Sequence, residues 1–447
     1  MRHALQPPGP FDVTTPAVSD GPLVLEAARA IVGRCRVPGD KSISHRYAIF
    51  AAMAEGRTTI RGLSTGADVE ATLTCLAALG ARIARDDDGI VRVTGCGLTG
   101  FAQPAAMLDA GNSGTTLRLL SGVVAGWPLA VGLTGDASLC RRPMRRIIDP
   151  LTAMGAAITS ADGRPPLTIR GGTLRAISWR PPVPSAQVKS AILLAGLRAV
   201  GRTSVDEPLA TRDHTERAFP LFGLRAETDG LVVSVDGGQR AVAPTGDLDV
   251  PGDPSSAAVW AAAAAALPGS SVTIDGVGLN PRRLGFLRVL ERMGAEVHAE
   301  VTGLTGGEPC GTLRVRGGDQ RPVVIAPEEV PDVIDELPVL AAAAALGGGL
   351  EVSGAGELRV KESDRISALV TGLRALGVEA DERPDGFAIT GHRRPTGGRV
   401  DAAGDHRLVM AFAIVGLGAS GRTTITGANV VAVSYPGFAP ALAALRA

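Results

Sequence analysis

Residues 40–62, DKSISHRYAIFAAMAEGRTTIRG, join a charged start, an apolar stretch, a glycine break and a β-branched strand. The same phrase recurs along the whole chain. Counted from Lys41, the later copies begin at intervals of about 70 residues, near Asn112, Gln187, Ser255, Asp335 and Arg407. Self-similarity at a fixed period indicates a fold built from one repeated supersecondary unit.

A second phrase follows the first five copies. It consists of an amphipathic helix ending in glycine and two short strands, as in residues 73–95 and 290–303. The predicted unit is therefore βαβαββ. The sixth copy stops after residues 438–447, so we expect the segment near 23–37 to supply its missing strands. That makes the plan circular, with linkers crossing between two domains near Pro38 and Val250.

This plan predicts an α/β protein of six units, three in each domain. Residues 38–250 would form the first domain, and residues 23–37 plus 251–447 the second. Residues 1–22 contain scattered prolines and no hydrophobic segment beside a charged start, so they are predicted to be a loose tail and not a signal peptide.

The apolar helices are predicted to lie buried beneath sheets. Residues 257–267, for example, are hydrophobic nearly all round. A helix N-terminus presents unpaired N–H groups and partial positive charge, so it can bind an anion. Six polar helix starts are therefore expected to converge on one cleft. The alternative is that their Ser, Asp and Asn residues are ordinary N-caps.

Lysine usage is unusual in this chain. The 45 basic residues include only three lysines, and each lies in a polar motif near a predicted helix start: Lys41, Lys189 and Lys361. Lysine can neutralise phosphate and, when its pKa is lowered, also exchange a proton, whereas arginine stays charged. All three lysines are therefore predicted to be functional.

The first motif, PGDKSISHR at residues 38–46, suits phosphate or carboxylate. It places Lys41 and Ser42 at a helix start and Arg46 one turn later. A Walker A loop is excluded, because Asp40 and not glycine precedes Lys41. GNSGTTLR, residues 111–118, has Thr115 where a GxSxG nucleophile elbow needs its final glycine.

Two later segments carry the candidate proton-transfer groups. VIDELP contains Asp335, and RVKESDR contains Lys361, Glu362 and Arg365. GDHR, which contains Arg407, occupies the corresponding point of the next repeat. Paired carboxylates beside cations suit proton transfer next to an anionic substrate, and a structural salt-bridge network is the competing interpretation. PSAQVKS (184–190) and TRDHTE (211–216) add polar groups that could bind a phosphorylated polyol or cap helices.

Composition limits the other classes of function. The chain carries 45 basic and 45 acidic residues and 3% aromatic residues, which does not support general attraction to nucleic acid or to an anionic membrane. The five cysteines show no zinc or disulfide spacing, and the histidines show no metal-binding spacing. We expect a cytoplasmic protein without a metal ion.

Taken in order, these motifs resemble the family of 5-enolpyruvylshikimate-3-phosphate synthases, also called 3-phosphoshikimate 1-carboxyvinyltransferases, within the enolpyruvyl transferases. The resemblance runs from about residue 25 to the C-terminus and rests on PGDKSISHR, GNSGTTLR, RRPM, SAQVKSA, TRDHTE, PGDPSS, IDELP, RVKESDR and GDHR. It implies an inside-out α/β barrel of two three-unit domains. It also implies carboxyvinyl transfer from phosphoenolpyruvate to the 5-hydroxyl of shikimate 3-phosphate, without a cofactor, in a protein expected to be monomeric.

The resemblance also implies roles for individual residues. Shikimate 3-phosphate would be bound by Lys41, Ser42, Arg46, Ser185, Ala186, Gln187, Arg212, Asp335 and Lys361. Phosphoenolpyruvate would be bound by Lys41, Gly114, Arg142, Gln187, Arg365 and Arg407. The catalytic residues would be Asp335, which takes the hydroxyl proton, Glu362, which donates a proton to the methylene carbon, and Lys41.

Two departures from the family pattern stand out. Many members have SSQ where this chain has Ser185-Ala186-Gln187, and many carry a lysine near residues 433–438, VSYPGF. The resemblance implies that Arg212 offsets the first departure. Gly114 stands where some relatives have alanine, which predicts sensitivity to the herbicide glyphosate.

Two alternatives stay open at this stage. The sister transferase that acts on UDP-N-acetylglucosamine normally has a KN pair, whereas Ser42 follows Lys41 here, and Cys140 lies too near Arg142 for its reactive loop. A non-catalytic module that binds phosphorylated metabolites would tolerate loss of Asp335 and Glu362. Activity of a Glu362→Gln variant separates the enzyme from the module.

Overall fold

The computed structural model describes residues 21–391 and 393–446, so nearly all of the predicted tail lies outside the described residues. The helices of the first half are α1 (Lys41–Met53), α2 (Ala67–Ala78), α3 (Gly114–Ala125), α4 (Ala137–Cys140), α5 (Arg145–Met154), α6 (Ala186–Gly196) and α7 (His214–Ala218). Those of the second half are α8 (Pro254–Ala266), α9 (Gly285–Arg292), α10 (Val330–Val333), α11 (Leu337–Ala345), α12 (Arg365–Ala375), α13 (His406–Gly418) and α14 (Phe438–Leu445).

Short strands alternate with these helices, which confirms the predicted mixed α/β class. They begin with β1 (Leu23–Leu25), β2 (Val32–Arg36), β3 (Arg57–Arg61), β4 (Arg82–Arg85), β5 (Val91–Thr94), β6 (Leu108–Asp109), β7 (Ala130–Thr134), β8 (Ala157–Ala161) and β9 (Arg164–Arg170). Next come β10 (Leu174–Arg175), β11 (Ser178–Trp179), β12 (Ala199–Val200), β13 (Arg202–Asp206), β14 (Glu227–Asp229), β15 (Val232–Asp236) and β16 (Leu248–Asp249). The last are β17 (Ser271–Gly278), β18 (Glu296–Thr305), β19 (Glu308–Arg316), β20 (Val323–Ile325), β21 (Leu350–Val352), β22 (Glu379–Arg383), β23 (Gly386–Thr390), β24 (Gly398–Asp401) and β25 (Thr423–Thr426).

The four-stranded sheets share one arrangement. In each, the strand that follows a buried helix lies parallel to an edge strand on one side and antiparallel to the next strand on the other, as β7 does between β6 and β9. The strand orders are β16-β3-β5-β4, β6-β7-β9-β8, β11-β13-β15-β14, β2-β17-β19-β18 and β20-β21-β23-β22. A three-stranded sheet, β24-β25-β1, has the same pattern without its fourth strand.

The N-terminal segment only partly follows its prediction. Strand β1 pairs antiparallel with β25, as expected for completion of the last sheet. Strand β2 does not join it; β2 lies parallel to β17, with Val32 opposite Ser271. Two segments of the chain exchange edge strands between the sheets. Strand β16, which precedes α8 in the chain, pairs with β3 of the first sheet, and β2 takes the edge position beside β17 instead.

The chain passes between two hydrophobic cores at two adjacent segments. Buried residues from 43 to 250 form one core, and buried residues between 25 and 31 and from 257 to 445 form the other. The crossing segments are hydrogen-bonded to each other, from Asp40 N to Pro251 O at 2.8 Å and from Asp253 N to Pro38 O at 2.8 Å. These bonds hold the starts of α1 and α8 side by side.

The central helices are buried on all faces, as their composition predicted. Every residue of α8 is buried, and alanines and glycines allow neighbouring helices to approach closely. A Cβ atom on Gly122 of α3, for example, would lie 2.2 Å from the carbonyl oxygen of Ala191 in α6. None of the described helices is long and apolar enough to cross a membrane.

Candidate active site

Helix starts from both cores face one region. Side chains cap several of them: Asp40 accepts from Ile43 N at 2.9 Å, Ser113 from Thr116 N at 3.1 Å, and Asp405 from Arg407 N at 2.9 Å. Capping and site formation are therefore not exclusive alternatives. Each cap satisfies one of the unpaired backbone N–H groups at its helix start and fixes the direction of the neighbouring charged side chains.

Lys41, the first residue of α1, is held by an acidic partner. Its Nζ lies 2.8 Å from Asp68 Oδ2, at the start of α2. Burial lowers the pKa of Lys41, but the ion pair and hydrogen bond with Asp68 outweigh burial, so that the pKa is raised overall. Lys41 is therefore a fixed cation near Arg407 and Glu362.

Arg142 and Arg365 bracket Glu362. Arg142 Nη1 lies 3.8 Å from Glu362 Oε1, and Arg365 Nη2 donates a hydrogen bond to Glu362 Oε2. Arg365 Nε is in turn 2.8 Å from Asp405 Oδ2. Two buried nitrogens, Arg142 Nε and Arg365 Nη1, have no hydrogen-bond partner among the described residues. Unsatisfied donors on buried cations are suited to an anionic ligand.

Glu362 is a carboxylate in this environment. Burial alone would raise its pKa, but the charges of Arg365, Arg142, His406 and Lys41 hold the pKa well below its usual range. A role as proton donor thus requires that an anion first neutralise these cations.

Asp335 is also strongly stabilised as an anion. Arg212 Nη2 donates to Asp335 Oδ2 at 2.6 Å, and Arg407 Nη2 lies 3.7 Å from the same oxygen. Burial opposes ionisation, but Arg407, Arg212 and Lys361 hold the pKa of Asp335 well below its usual range. Asp335 is therefore held in the ionised form that a proton acceptor needs.

Arg46 forms a second cationic position on α1. Its guanidinium donates to Thr215 Oγ1 at 2.8 Å, to Ser190 Oγ at 2.9 Å and to the carbonyl oxygen of Ser42 at 2.9 Å. Burial lowers the pKa of Arg46 to about 10, which still leaves it charged at neutral pH. The hydroxyl groups around it orient this cation without neutralising it.

The predicted residues at the starts of α3 and α6 also meet. Gln187 accepts from Arg118 Nη1 at 2.6 Å and donates from Nε2 to Thr115 Oγ1 at 2.8 Å. A Cβ atom on Gly114 would lie 2.8 Å from Arg118 Nη1 and 3.4 Å from Arg142 Nη1. Two more predicted residues, Ser185 and Ala186, lie at the start of α6, where Ser185 is the N-cap and Ala186 is the first helical residue.

The other two lysines differ from Lys41. Lys361 Nζ lies 3.2 Å from Glu357 Oε1 and is part-exposed beside the site. Lys189 is only 1% exposed and forms ion pairs with Glu207 at 2.9 Å and Glu216 at 2.6 Å. Two carboxylates thus pair with the Lys189 ammonium, which gives Lys189 a structural ion-pair role, and its predicted functional role stays a prediction.

Sequence reasoning missed several residues of this region. Asp68 is the ion-pair partner of Lys41, Asp405 that of Arg365, and Arg118 is a half-buried cation beside Gln187. Arg118 and Asp405 lie inside motifs that the sequence pointed to, so both could have been proposed. Asp68 lies in no such motif. It reaches Lys41 only because α2 packs against α1, which the sequence did not reveal.

The histidines near the site are buried, and the cysteines are unpaired. Burial lowers the pKa of His45 to about 3 and, with Lys41 and Arg407, that of His406 to about 4. All five cysteines are free and buried or half-buried. No group of three or more potential metal ligands occurs in the described part of the chain.

Charged side chains are the defining feature of the site. Two cavities, of about 520 Å³ beside Arg394 and about 430 Å³ beside Pro244, lie elsewhere, and no predicted site residue lines either one. The fold and site define an α/β protein in which helix starts from two cores hold cations around two ionised carboxylates. Such a site suits anionic substrates and proton transfer.

Comparison with known proteins specifies the family. The family model for EPSP synthase (3-phosphoshikimate 1-carboxyvinyltransferase) matches residues 25–442, and the chain belongs to this family. It is 50% identical over 414 residues to 3-phosphoshikimate 1-carboxyvinyltransferase of Acidithiobacillus ferrooxidans, covering 92% of this chain and 95% of that protein. It is 46% identical to the Synechococcus enzyme of the same name, covering 96% of this chain and 97% of that protein.

Solved structures agree with this assignment. The EPSP synthase of Acinetobacter baumannii superposes with a TM-score of 0.83 at 42% sequence identity, covering 95% of this chain and 97% of that chain. The family resemblance predicted from the motifs is confirmed.

Proposed function

We propose that this chain transfers the carboxyvinyl group of phosphoenolpyruvate to the 5-hydroxyl of shikimate 3-phosphate and releases phosphate, as a step of the shikimate pathway. The observation that carries the proposal is the meeting of Lys41, Arg142 and Arg407, from both halves of the chain, around Asp335 and Glu362. Family membership and the names of its relatives support the same reaction.

Asp335 is proposed as the general base. The reaction joins the hydroxyl oxygen to C2 of phosphoenolpyruvate, and the hydroxyl proton must leave as that bond forms. A carboxylate with a lowered pKa, held by Arg212 and Arg407, is ionised and ready to accept it. The backbone also contributes to its position, since Arg407 Nη1 donates to the carbonyl oxygen of Asp335 at 2.6 Å.

Glu362 is proposed as the group that donates a proton to C3 of phosphoenolpyruvate and later removes one. Addition to C2 and C3 gives a tetrahedral intermediate, and loss of phosphate from C2 with a C3 proton restores the vinyl group. The cations around Glu362 favour its ionised form, so it must first gain a proton. The phosphate and carboxylate of the substrate would neutralise Arg142, Arg365 and Lys41 and thereby raise the Glu362 pKa.

The remaining residues are proposed to bind the substrates. Phosphoenolpyruvate would contact Lys41, Gly114, Arg142, Gln187, Arg365 and Arg407. Shikimate 3-phosphate would contact Lys41, Ser42, Arg46, Ser185, Ala186, Gln187, Arg212, Asp335 and Lys361. Cations fixed before the reaction stabilise charge on the leaving phosphate with little reorganisation. Arg118, which donates to Gln187, adds a cation to the first group.

We further propose that the fold is an inside-out α/β barrel of six βαβαββ units, with domain boundaries as predicted from the repeats. The separate cores, the recurring sheet arrangement and the paired crossing segments support this division. A cytoplasmic location is consistent with five free cysteines. A monomer remains the expected state.

One assay tests the reaction directly. The protein is mixed with phosphoenolpyruvate, with shikimate 3-phosphate, and with both, while inorganic phosphate is followed. We expect release only with both substrates. Release with phosphoenolpyruvate alone would indicate a phosphatase, and binding of both without release would indicate a non-catalytic module.

A further inference from the structure

A single buried arginine bonds to both segments by which the chain crosses between its two cores. Arg283 ends a short 3-10 turn, Pro281–Arg283, and its side chain is 2% exposed. Its Nη1 donates to Asp40 Oδ2 at 2.7 Å, and its Nη2 donates to Asp253 Oδ1 at 3.0 Å and to Ser255 Oγ at 2.9 Å. Arg283 Nη1 also lies 3.3 Å from His214 Nε2, so the guanidinium contacts four polar groups.

Two of these contacts connect Arg283 with Lys41, through Asp40 and Asp253. Asp40 is the N-cap of α1, and Asp253 is the N-cap of α8. Asp253 Oδ2 also accepts a hydrogen bond from Lys41 N at 3.2 Å. Because both caps share the Arg283 guanidinium, the first residue of α1 is positioned relative to the start of α8.

The contact with Ser255 connects Arg283 with Asp335. Ser255 Oγ, which accepts from Arg283, donates to Glu336 Oε1. Glu336 is buried, immediately follows Asp335 and precedes α11. Burial, reinforced by the charge of Asp335, raises the pKa of Glu336. The Ser255–Glu336 bond thus anchors the backbone that carries Asp335.

We propose that Arg283 is a positioning residue that fixes Lys41, on one core, relative to Asp335, on the other. The inference rests on the proposed function, in which both of these residues act at the reacting centre. A guanidinium presents its donors in a rigid planar fork that fixes the directions of its bonds, whereas an ammonium carries its three donors at one point on a flexible stem. Arg283 itself contacts the caps, Ser255 and His214 and would not touch substrate.

The first test is Arg283→Lys in the full chain, with phosphate release followed at varied concentrations of each substrate. We expect kcat to fall about tenfold to a hundredfold, since a misplacement of about 1 Å at a reacting centre costs on that order. We expect KM for each substrate to rise by a smaller factor than kcat falls. Lys41 and Asp335 are also proposed to contact substrate, but Arg46, Arg142 and Arg365 bond to groups other than Arg283. Unchanged kcat would overturn the proposal.

A stability control separates positioning from simple support of the fold. Leu167→Ala opens a gap in the first core, at a strand residue that is fully buried. It should lower the melting temperature yet leave kcat within about twofold of the unaltered protein. Equal losses of kcat in Leu167→Ala and Arg283→Lys would show that instability alone explains the effect, against the proposal.

Ser255→Ala keeps the inference testable if Arg283→Lys does not fold. This change removes the link to Glu336 and leaves both carboxylate partners of Arg283. We expect kcat to fall about threefold to tenfold and KM to rise by a smaller factor. No change would count against the proposal. If the unaltered chain releases no phosphate with both substrates, the proposed function itself fails.

Discussion

Arg142 Nη1 lies 3.8 Å from Glu362 Oε1, which connects the loop before α5 with the loop before α12. Ser138 Oγ reinforces this contact by donating to the carbonyl oxygen of Glu362 at 2.8 Å. A cation proposed for the leaving phosphate and a carboxylate proposed for proton transfer thus meet from the two halves of the chain. The proposed chemistry therefore depends on both halves of the chain.

Glu362→Gln should abolish turnover and spare binding. The amide preserves size but cannot carry the proton to and from C3, so we expect kcat to fall by about 10²–10⁴-fold, the usual share of general acid–base catalysis. Phosphate release measures turnover, and calorimetric titration measures binding of each substrate. Glu296→Gln, an exposed carboxylate on β18, is the matched control. Turnover retained in Glu362→Gln would contradict the assigned role.

Arg212→Gln should shift the pH dependence of kcat. Arg212 helps to keep the pKa of Asp335 low, so its removal raises that pKa. Asp335 must be ionised to accept the hydroxyl proton, and the acid limb of the profile therefore moves to higher pH. KM for shikimate 3-phosphate should also rise about tenfold, from loss of a charge-assisted hydrogen bond.

The control for this profile is Arg314→Gln, whose partner Glu300 lies on an exposed strand pair. Its acid limb should coincide with that of the unaltered protein. An acid limb that stays in place in Arg212→Gln would exclude Asp335 as the base controlling it.

Gly114→Ala should weaken phosphoenolpyruvate binding and the predicted inhibition by glyphosate. The added methyl would lie 2.8 Å from Arg118 Nη1, so this guanidinium must shift, and 3.4 Å from Arg142 Nη1, where it would sit in contact. We expect KM for phosphoenolpyruvate to rise about tenfold, for an overpacking cost of about 1–2 kcal/mol.

Inhibition assays at several phosphoenolpyruvate concentrations check the glyphosate part of the prediction. Gly172→Ala is the control, because a methyl there meets nothing within 4 Å. Lack of competition at millimolar glyphosate in the unaltered protein would refute the predicted sensitivity.

Lys189→Met should destabilise the fold. It leaves Glu207 and Glu216 buried without their cation, which typically costs about 3–5 kcal/mol in the free energy of unfolding. Denaturant unfolding measures the loss. Arg316→Met, which breaks an exposed pair with Glu296, should change stability by less than about 0.5 kcal/mol. Equal stabilities of the two variants would contradict a structural role for Lys189.

Local patterns explain which parts of this protein could be predicted from sequence. The repeated sequence pattern predicted the mixed α/β fold. A polar start before an apolar run predicted the beginnings of α1, α3, α6, α8 and α13. Caps such as Asp40 and Ser113 act within one turn, so their signal lies in neighbouring residues. The same local motifs, in order, were enough to identify the family.

Contacts between distant residues required the tertiary structure. The tertiary structure brings Asp68 to Lys41 and Glu207 to Lys189, and it exchanges β2 and β16 between sheets. All of these contacts depend on which helices and strands pack together. Protonation states depend on packing too, because burial and neighbouring charges set each pKa. The sequence alone thus determined the unit, its repetition and the candidate residues, while three-dimensional packing decided which charges meet, since electrostatic interactions act through space and not along the chain.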